Sequence, residues 1–254
     1  MSLTLDLTGK TAVVTGGVRG VGAGISRALL DAGADVVAVA RREPETLPEA
    51  GGRTATFASL DARDADAVQE FADGLDRADI LVNNAGGAPF RPIADGPLRT
   101  HIKIIELNLT TALIMARALR PKLLESGGGS VVNIGSVSGM RPSPGTAAYG
   151  AAKAGMQSLT QSLAVEWAPE IRVNLVMLGM VRTEQSHLHY GDEDGIAAVA
   201  RTVPLGRLAD PYEVGTACAF LASDLASYAT GATLLLHGGG ERPAFLDAAT
   251  VNKE

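Results

Sequence analysis

Sulfur, surplus positive charge and long apolar runs are all scarce in this chain. Its single cysteine, Cys218, excludes an intrachain disulfide, and its setting in the apolar stretch TACAFLA predicts a buried packing residue. Lysine and arginine number 22 against 28 aspartates and glutamates, a formal charge of -6. That balance argues against a general nucleic-acid binder and against docking to an anionic membrane surface, so any anion must be bound locally. No apolar run approaches the roughly 18 residues of a spanning helix, and MSLTLDLTGK is not a basic leader followed by an apolar core. A cytoplasmic protein is expected. Of four histidines, His187 and His189 alternate with no third ligand nearby, and no metal site is expected. No Pro/Gly/Ser linker and no repeat divides residues 1–254, which predicts a single domain.

What the chain does have is alternation. The β-branched runs TAVVT (11–15), DVVAVA (35–40), TATFASL (54–60), ILVNN (80–84), SVVNIG (130–135), IRVNLV (171–176) and ATLLLH (232–237) alternate with stretches of period near 3.6. These helical stretches are Val21–Ala32, Ala65–Leu75, Ile102–Leu119, Ala151–Trp167 and Pro211–Leu221. Strand and helix in this order predict an α/β fold: a doubly wound, Rossmann-like parallel sheet of about seven strands with helices on both faces. The one long irregular stretch, about 179–207, predicts a substrate loop or lid.

TGGVRGVG, Thr15–Gly22, stands where the first strand meets the first helix. Glycines there permit a tight turn and close backbone approach, and a helix N-terminus faces the pyrophosphate of a dinucleotide. The second strand ends Ala40-Arg41-Arg42, without the carboxylate that would hold a ribose 2′-hydroxyl. A 2′-phosphate instead wants guanidinium groups, so Arg19 and Arg41 point to NADP in preference to NAD.

These features are joined by Asn83-Asn84-Ala85-Gly86, by Tyr149-Gly150-Ala151-Ala152-Lys153 and by Ser136 thirteen residues before Tyr149. Asn108, Asp61, PLGRLADPYEV and TGATLLLHGG complete the set. In this order and spacing the chain resembles the short-chain dehydrogenase/reductase family over nearly its whole length. It is closest in pattern to the compact branch and to NADP-dependent 3-oxoacyl reductase-like members. The resemblance implies an oxidoreductase interconverting a ketone or aldehyde with an alcohol. It implies Asn108, Ser136, Tyr149 and Lys153 as the catalytic set, with Asn108 holding a water for proton relay. It further implies that Gly16, Gly20, Val21, Gly22, Asn84, Ala85, Gly86, Gly179 and Val181 border the cofactor. Asp61 with Ala62 would contact adenine, Lys153 the nicotinamide ribose and Thr183 the carboxamide. A homo-tetramer or homo-dimer is implied as well.

The chemistry stands beside the resemblance. Tyr149 and Lys153 are four apart and share a helix face, and a nearby ammonium would stabilise the phenolate, lowering its pKa from about 10. Tyr149 would then exchange a proton with the substrate oxygen during hydride transfer, while Ser136, at a strand's carboxyl edge, polarises the carbonyl. Ser138 is the competitor for Ser136, or a turn residue. Asp61 is read equally as an adenine contact and as a helix cap, and Asn108 as relay or, otherwise, as a local cap or kink. The strand at 232–237 is compatible with an interface strand or a buried central one.

Three departures from the family pattern stand out: Leu178-Gly179 for Pro-Gly, His237-Gly238-Gly239 for Asp-Gly-Gly, and Glu170 in WAPEIRVN where carrier-protein reductases carry a basic residue. The last argues against an acyl-carrier-protein substrate and for a small or medium free carbonyl compound. The expected pocket wall is Ser138, Met140, Pro144, Met180, His187, Leu188 and Tyr190. The competing readings are a non-catalytic NADP-binding sensor or scaffold, against which the complete four-residue set stands, and a nucleotide-sugar epimerase, which needs more C-terminal chain.

Overall fold

A computed structural model describes residues 4–251. Nine strands form, at β1 (Thr11–Thr15), β2 (Asp35–Ala40), β3 (Glu49–Ala50), β4 (Arg53–Thr54), β5 (Thr56–Ser59), β6 (Ile80–Asn83), β7 (Gly129–Ser136), β8 (Ile171–Leu178) and β9 (Thr233–Leu236). Seven of them make one sheet in the order β5-β2-β1-β6-β7-β8-β9, every neighbouring pair parallel. The stretch expected as one strand at 54–60 is shorter in the sheet, because Arg53–Thr54 turns back on Glu49–Ala50 in a small antiparallel hairpin. The helices are α1 (Gly20–Asp31), α2 (Ala65–Asp73), α3 (Leu98–Ile105), α4 (Thr111–Glu125), α5 (Ala147–Trp167), α6 (His187–Tyr190), α7 (Glu193–Ala200), α8 (Pro211–Ala222) and α9 (Ala244–Ala248).

Side chains alternate along each strand, so the central strands are apolar on both faces. Ala12 and Val14 pack with Ile25 and Leu29 of α1 and Val214 and Leu221 of α8, whereas Val13 packs with Val68 of α2, Leu119 of α4 and Leu163 of α5. The expected double winding is observed. The chain moves outward from β1 through β2 to β5, then restarts at β6 on the other side of β1. The crevice at that reversal is where an open sheet receives a ligand.

Three local devices fix the pieces around the crevice. Asn83 donates to Asn133 at 2.9 Å and Asn133 to Thr160 at 2.9 Å, joining β6, β7 and α5 by buried amides. Arg172 on β8 donates to the carbonyls of Leu221, Ala222 and Ser223, capping the end of α8. At the other end of α8, Asp210 and Glu213 form a capping box behind Pro211. Cys218 is fully buried within α8, as expected.

Two expectations need correction. The helix expected over Ile102–Leu119 is two helices separated by a π turn at Glu106–Thr110. The stretch expected to be irregular contains α6 and α7, with Asp192 capping the latter. It is closed at its base by Arg182 N to Ala209 O (2.8 Å) and Ala209 N to Met180 O (3.0 Å). Of the two readings of the strand at 232–237, the buried central one is excluded: β9 is an edge strand with Leu235 exposed, and nothing among the described residues pairs beyond it. Residues 252–254 of the C-terminal tail lie outside the described residues.

Helices α1 and α8 touch through glycine. A Cβ on Gly215 would stand 2.5 Å from the Gly24 carbonyl oxygen and 2.6 Å from Ala28 Cβ, both on α1. Gly74, by contrast, ends α2 at φ -78° with no contact inside 3.4 Å. Gly215→Val is therefore expected to lower the unfolding free energy by about 1–3 kcal/mol. Gly74→Ala is expected to raise it by about 0.4–1 kcal/mol. Urea denaturation of both variants measures the opposite signs.

Candidate active site

The crevice is a cleft of about 670 Å³ that starts at the Gly-rich turn and ends at Tyr149. Its floor is set by Thr15, whose hydroxyl accepts the N–H groups of Asn84 (2.9 Å) and Ala85 (3.0 Å) and donates to Val82 O (3.3 Å). Asn84 returns its amide to Thr15 O at 2.9 Å. The ends of β1 and β6 are thus tied side by side. Gly16 and Gly20 adopt φ of 65° and 51°, a region that side chains disfavour. A Cβ on Gly22 would strike the Gly16 carbonyl and lie 2.6 Å from the Asn84 amide. The first turn of α1 has no acidic side chain and no side-chain cap, so no side chain competes for its N–H groups at the cleft end. That is a seat for a phosphate.

All the residues expected to border a cofactor line this cleft: Arg19, Val21 and the three glycines at the turn, Arg41 after β2, Asp61 and Ala62 after β5. Asn84, Ala85 and Gly86 follow from β6, and Gly179, Val181 and Thr183 from β8. The two readings of Asp61 are separated by geometry. Asp64 caps α2 by accepting from Ala67 N at 3.1 Å, and Asp61 is gripped by the Arg63 guanidinium, with Nε at 2.9 Å. Arg63, foremost, and Arg41 more weakly hold the Asp61 carboxyl down at about 2.

Asn108 is not on the cleft surface. It is fully buried at the π turn, where its Nδ2 donates to Ile104 O and Gly87 O, both at 2.9 Å, and its Oδ1 accepts from Gly87 N at 2.8 Å. The side chain takes over a bond on Ile104 that a continuous helix would give to backbone, which is a physical reason for the π turn. It also forbids a side chain at Gly86, whose Cβ would sit 2.5 Å from Asn108 Oδ1. Of its two sequence readings, the kink is present and it clamps the loop after β6.

Ser136 ends β7 and caps the short turn that follows, accepting from Ser138 N at 3.2 Å. Ser138 thus has a turn role. The Ser136 hydroxyl also lies near enough to the Tyr149 phenol to influence its ionisation. Lys153, one turn along α5 from Tyr149, is buried, donates from Nζ to Ile134 O at 2.8 Å and lies 5.7 Å from the centroid of the Tyr149 ring. The pKa expectation is corrected here. Burial raises the Tyr149 phenol above its ordinary value, opposed by the nearby Ser136 hydroxyl. Burial also brings the Lys153 ammonium down to about 8. The amine lies over the ring, and the backbone carbonyl of Ile134 accepts its hydrogen bond.

The expected pocket wall divides. Met140 and Leu188 are largely exposed, Pro144 is exposed, and Met180 and Tyr190 pack on Ile196, Val203 and Leu208. His187 borders an adjoining cleft, because the α6 turn directs its Nδ1 to Glu184 O (3.0 Å). His189 and Gln185 line the Tyr149 cleft instead. A one-turn helix with alternating histidines gave no period from which to choose between them. Among the described residues no three His, Cys, Asp or Glu side chains gather as a metal site, and no helix is long and apolar enough to cross a membrane.

Residues 16–241 match a family model described as enoyl-(acyl carrier protein) reductase. Oxidoreductase UcpA of Salmonella typhimurium is 37% identical over 253 residues, covering 93% of this chain and 96% of that protein. A protein described as a short-chain alcohol dehydrogenase from Sinorhizobium meliloti has a crystal structure that matches with TM-score 0.83 at 35% identity, over 93% of this chain and 98% of that one. Another, described as an NAD(P)-dependent gluconate 5-dehydrogenase from Beutenbergia cavernae with bound NADP, matches with TM-score 0.84 at 32% identity, over 93% and 98%.

The buried ammonium has a measurable signature. Between about pH 8 and the ordinary lysine value of 10.5 the folded protein binds fewer protons at Lys153 than the unfolded chain does, so stability rises with pH in that window. The difference in unfolding free energy between wild type and Lys153→Met is expected to be flat below pH 8 and to shift in favour of wild type above it. Paired denaturant titrations at pH 7, 8, 9 and 10 measure this.

Proposed function

Since the chain belongs to the short-chain dehydrogenase/reductase family and is an NAD(P)-binding oxidoreductase, we propose that it uses NADP(H) to interconvert a small or medium ketone or aldehyde with its alcohol, Tyr149 moving the proton. The observation that carries this reading is the gathering of Ser136, Tyr149 and buried Lys153 in one cleft that begins at a helix N-terminus with no side-chain cap. The cofactor, when bound, supplies or accepts the hydride.

The protein's own part is proton chemistry and positioning. Ser136 donates to the substrate oxygen, and Tyr149 protonates it in reduction or deprotonates the hydroxyl in oxidation. Lys153 holds positive charge next to the ring, and Asn108 fixes the loop that carries Gly86. With its pKa raised, Tyr149 is in the proton-donor form near neutrality, which suits reduction. Arg19 and Arg41 line the cleft where β2 ends without a carboxylate, supporting a 2′-phosphate over a hydroxyl. Exposed Ile102, Ile105 and Val165 on α3 and α5 support self-association into a dimer or tetramer.

Tyr149→Phe is expected to bind NADPH with wild-type affinity and to lose turnover across a panel of ketones and aldehydes; near wild-type turnover would remove Tyr149 from the mechanism. In wild type, kcat/KM for oxidation is expected to rise toward alkaline pH as the phenol ionises, while reduction stays level around neutrality. Arg41→Asp is expected to shift the NADPH/NADH ratio of kcat/KM toward NADH by about tenfold to a hundredfold, the loss of charge-assisted hydrogen bonds to a phosphate. Steady-state kinetics with both cofactors tests it.

A further inference from the structure

The segment after β9 crosses from the end of the lid toward the loop between β7 and α5. Gly238 O accepts from Leu205 N at 3.1 Å, and Arg242 N donates to Thr202 O at 3.0 Å, so Gly238–Arg242 is stitched at both ends to the last turn of the lid. A Cβ on Gly238 or Gly239 would stand 2.7 Å from Val203 or 2.9 Å from Pro204, which shows how closely the two strips lie. Between the two stitches Glu241 reaches out and pairs with Arg141. Arg141 belongs to the loop that starts at Ser136, where its N–H donates to Val137 O at 3.1 Å. The far side of that same loop is pinned by Arg91 N to Gly145 O and by Phe90 packed against Gly145.

We propose that the Arg141–Glu241 ion pair is a latch that couples the lid to the loop carrying Ser136, and so sets the outer wall of the substrate pocket. Tyr190 is the side chain through which the wall meets the site. It packs with Val203 in the lid cluster, and its phenol lies within electrostatic reach of the Arg141–Glu241 pair and of Tyr149. Apart from this pair, the loop at 140–146 is held by Arg91 and Phe90 at Gly145 on the β6 side and by the Gly150 N–H of α5, which donates to Thr146 O at 2.9 Å. Both partners are only partly covered, 42% and 38% exposed, so the pair is weak enough to open for substrate and strong enough to bias closure. Arg141 and Glu241 are positioning residues in this scheme. Its kinetic consequence rests on the reductase reading, whereas the coupling itself does not.

The test uses the full chain with Glu241→Gln, Arg141→Gln and the exchanged double variant Arg141→Glu/Glu241→Arg. Hydrogen exchange at the Leu205 and Arg242 amides is expected to quicken by about twofold to fivefold in each single variant, the range of a partly exposed ion pair, and to return in the double variant. With NADPH and a carbonyl compound that wild type reduces, KM is expected to rise in the single variants with kcat and cofactor affinity unchanged, and to recover in the exchange. Unaltered exchange in the single variants, or a double variant no better than either, overturns the latch. A KM that stays at the wild-type value while exchange responds overturns the pocket wall and leaves the coupling. Absence of turnover by wild type on every compound removes the reductase reading, and the exchange rates then decide the latch on their own.

Discussion

The separation between the carboxyl ends of β1 and β6 is the constraint on which the site depends. A parallel sheet reverses its winding there, and the two strands have no helix between them to close the gap. The Thr15 hydroxyl closes it by accepting two backbone N–H groups and donating to one carbonyl, with the Asn84 amide answering in the other direction. With that distance fixed, the glycine turn rises on one side and the Asn84–Gly86 loop on the other. The loop's far end is held in turn by Asn108, so a chain of short polar contacts leads from the first strand to the π turn between α3 and α4. A lost hydroxyl at Thr15 would leave the Ala85 N–H without this partner and the Asn84 N–H with the Val82 carbonyl alone, which is costlier than the loss of one exposed hydrogen bond.

Much of this was legible from residue order. Strands with apolar residues on both faces leave little choice but a double-wound sheet, and the cleft residues inferred at the glycine turn and after β6 fall where the strand ends put them. Three features were not legible, for separate physical reasons. The break at Asn108 escapes the 3.6-residue pattern because the π turn occupies a single turn, and the stretches on either side each read as helical on their own. The choice between His187 and His189 depends on the path of a single helical turn inside the lid. The raised pKa of Tyr149 is a property of burial, to which Tyr190 adds and which Ser136 opposes. Spacing four apart on a helix fixes none of these.

The pairing of Tyr149 with Lys153 is electrostatically unusual in having both groups pushed toward neutrality by burial. Near neutrality the phenol is neutral while Lys153, at about 8, still carries its charge, so the pair stands one small step from a change of protonation on either side. Both groups become responsive when a charged or polar partner arrives, since a small change in surroundings then moves either proton. The Ile134 carbonyl keeps the Lys153 amine hydrogen-bonded in the meantime, which restrains its orientation without adding a counter-charge.

The two backbone bonds at the base of the lid, joining Met180 and Arg182 to Ala209, make the intervening stretch a closed excursion from an otherwise continuous framework. Beyond that base α8 begins at once, capped by Asp210 and locked to α1 through glycine contacts. Lengthening such an excursion costs little, since closure entropy grows only with the logarithm of its length. Descendants of this scaffold are thereby free to gain or lose residues inside the excursion and to change what they recognise. The sheet, the phosphate seat and the proton-handling residues inherit no strain from the change.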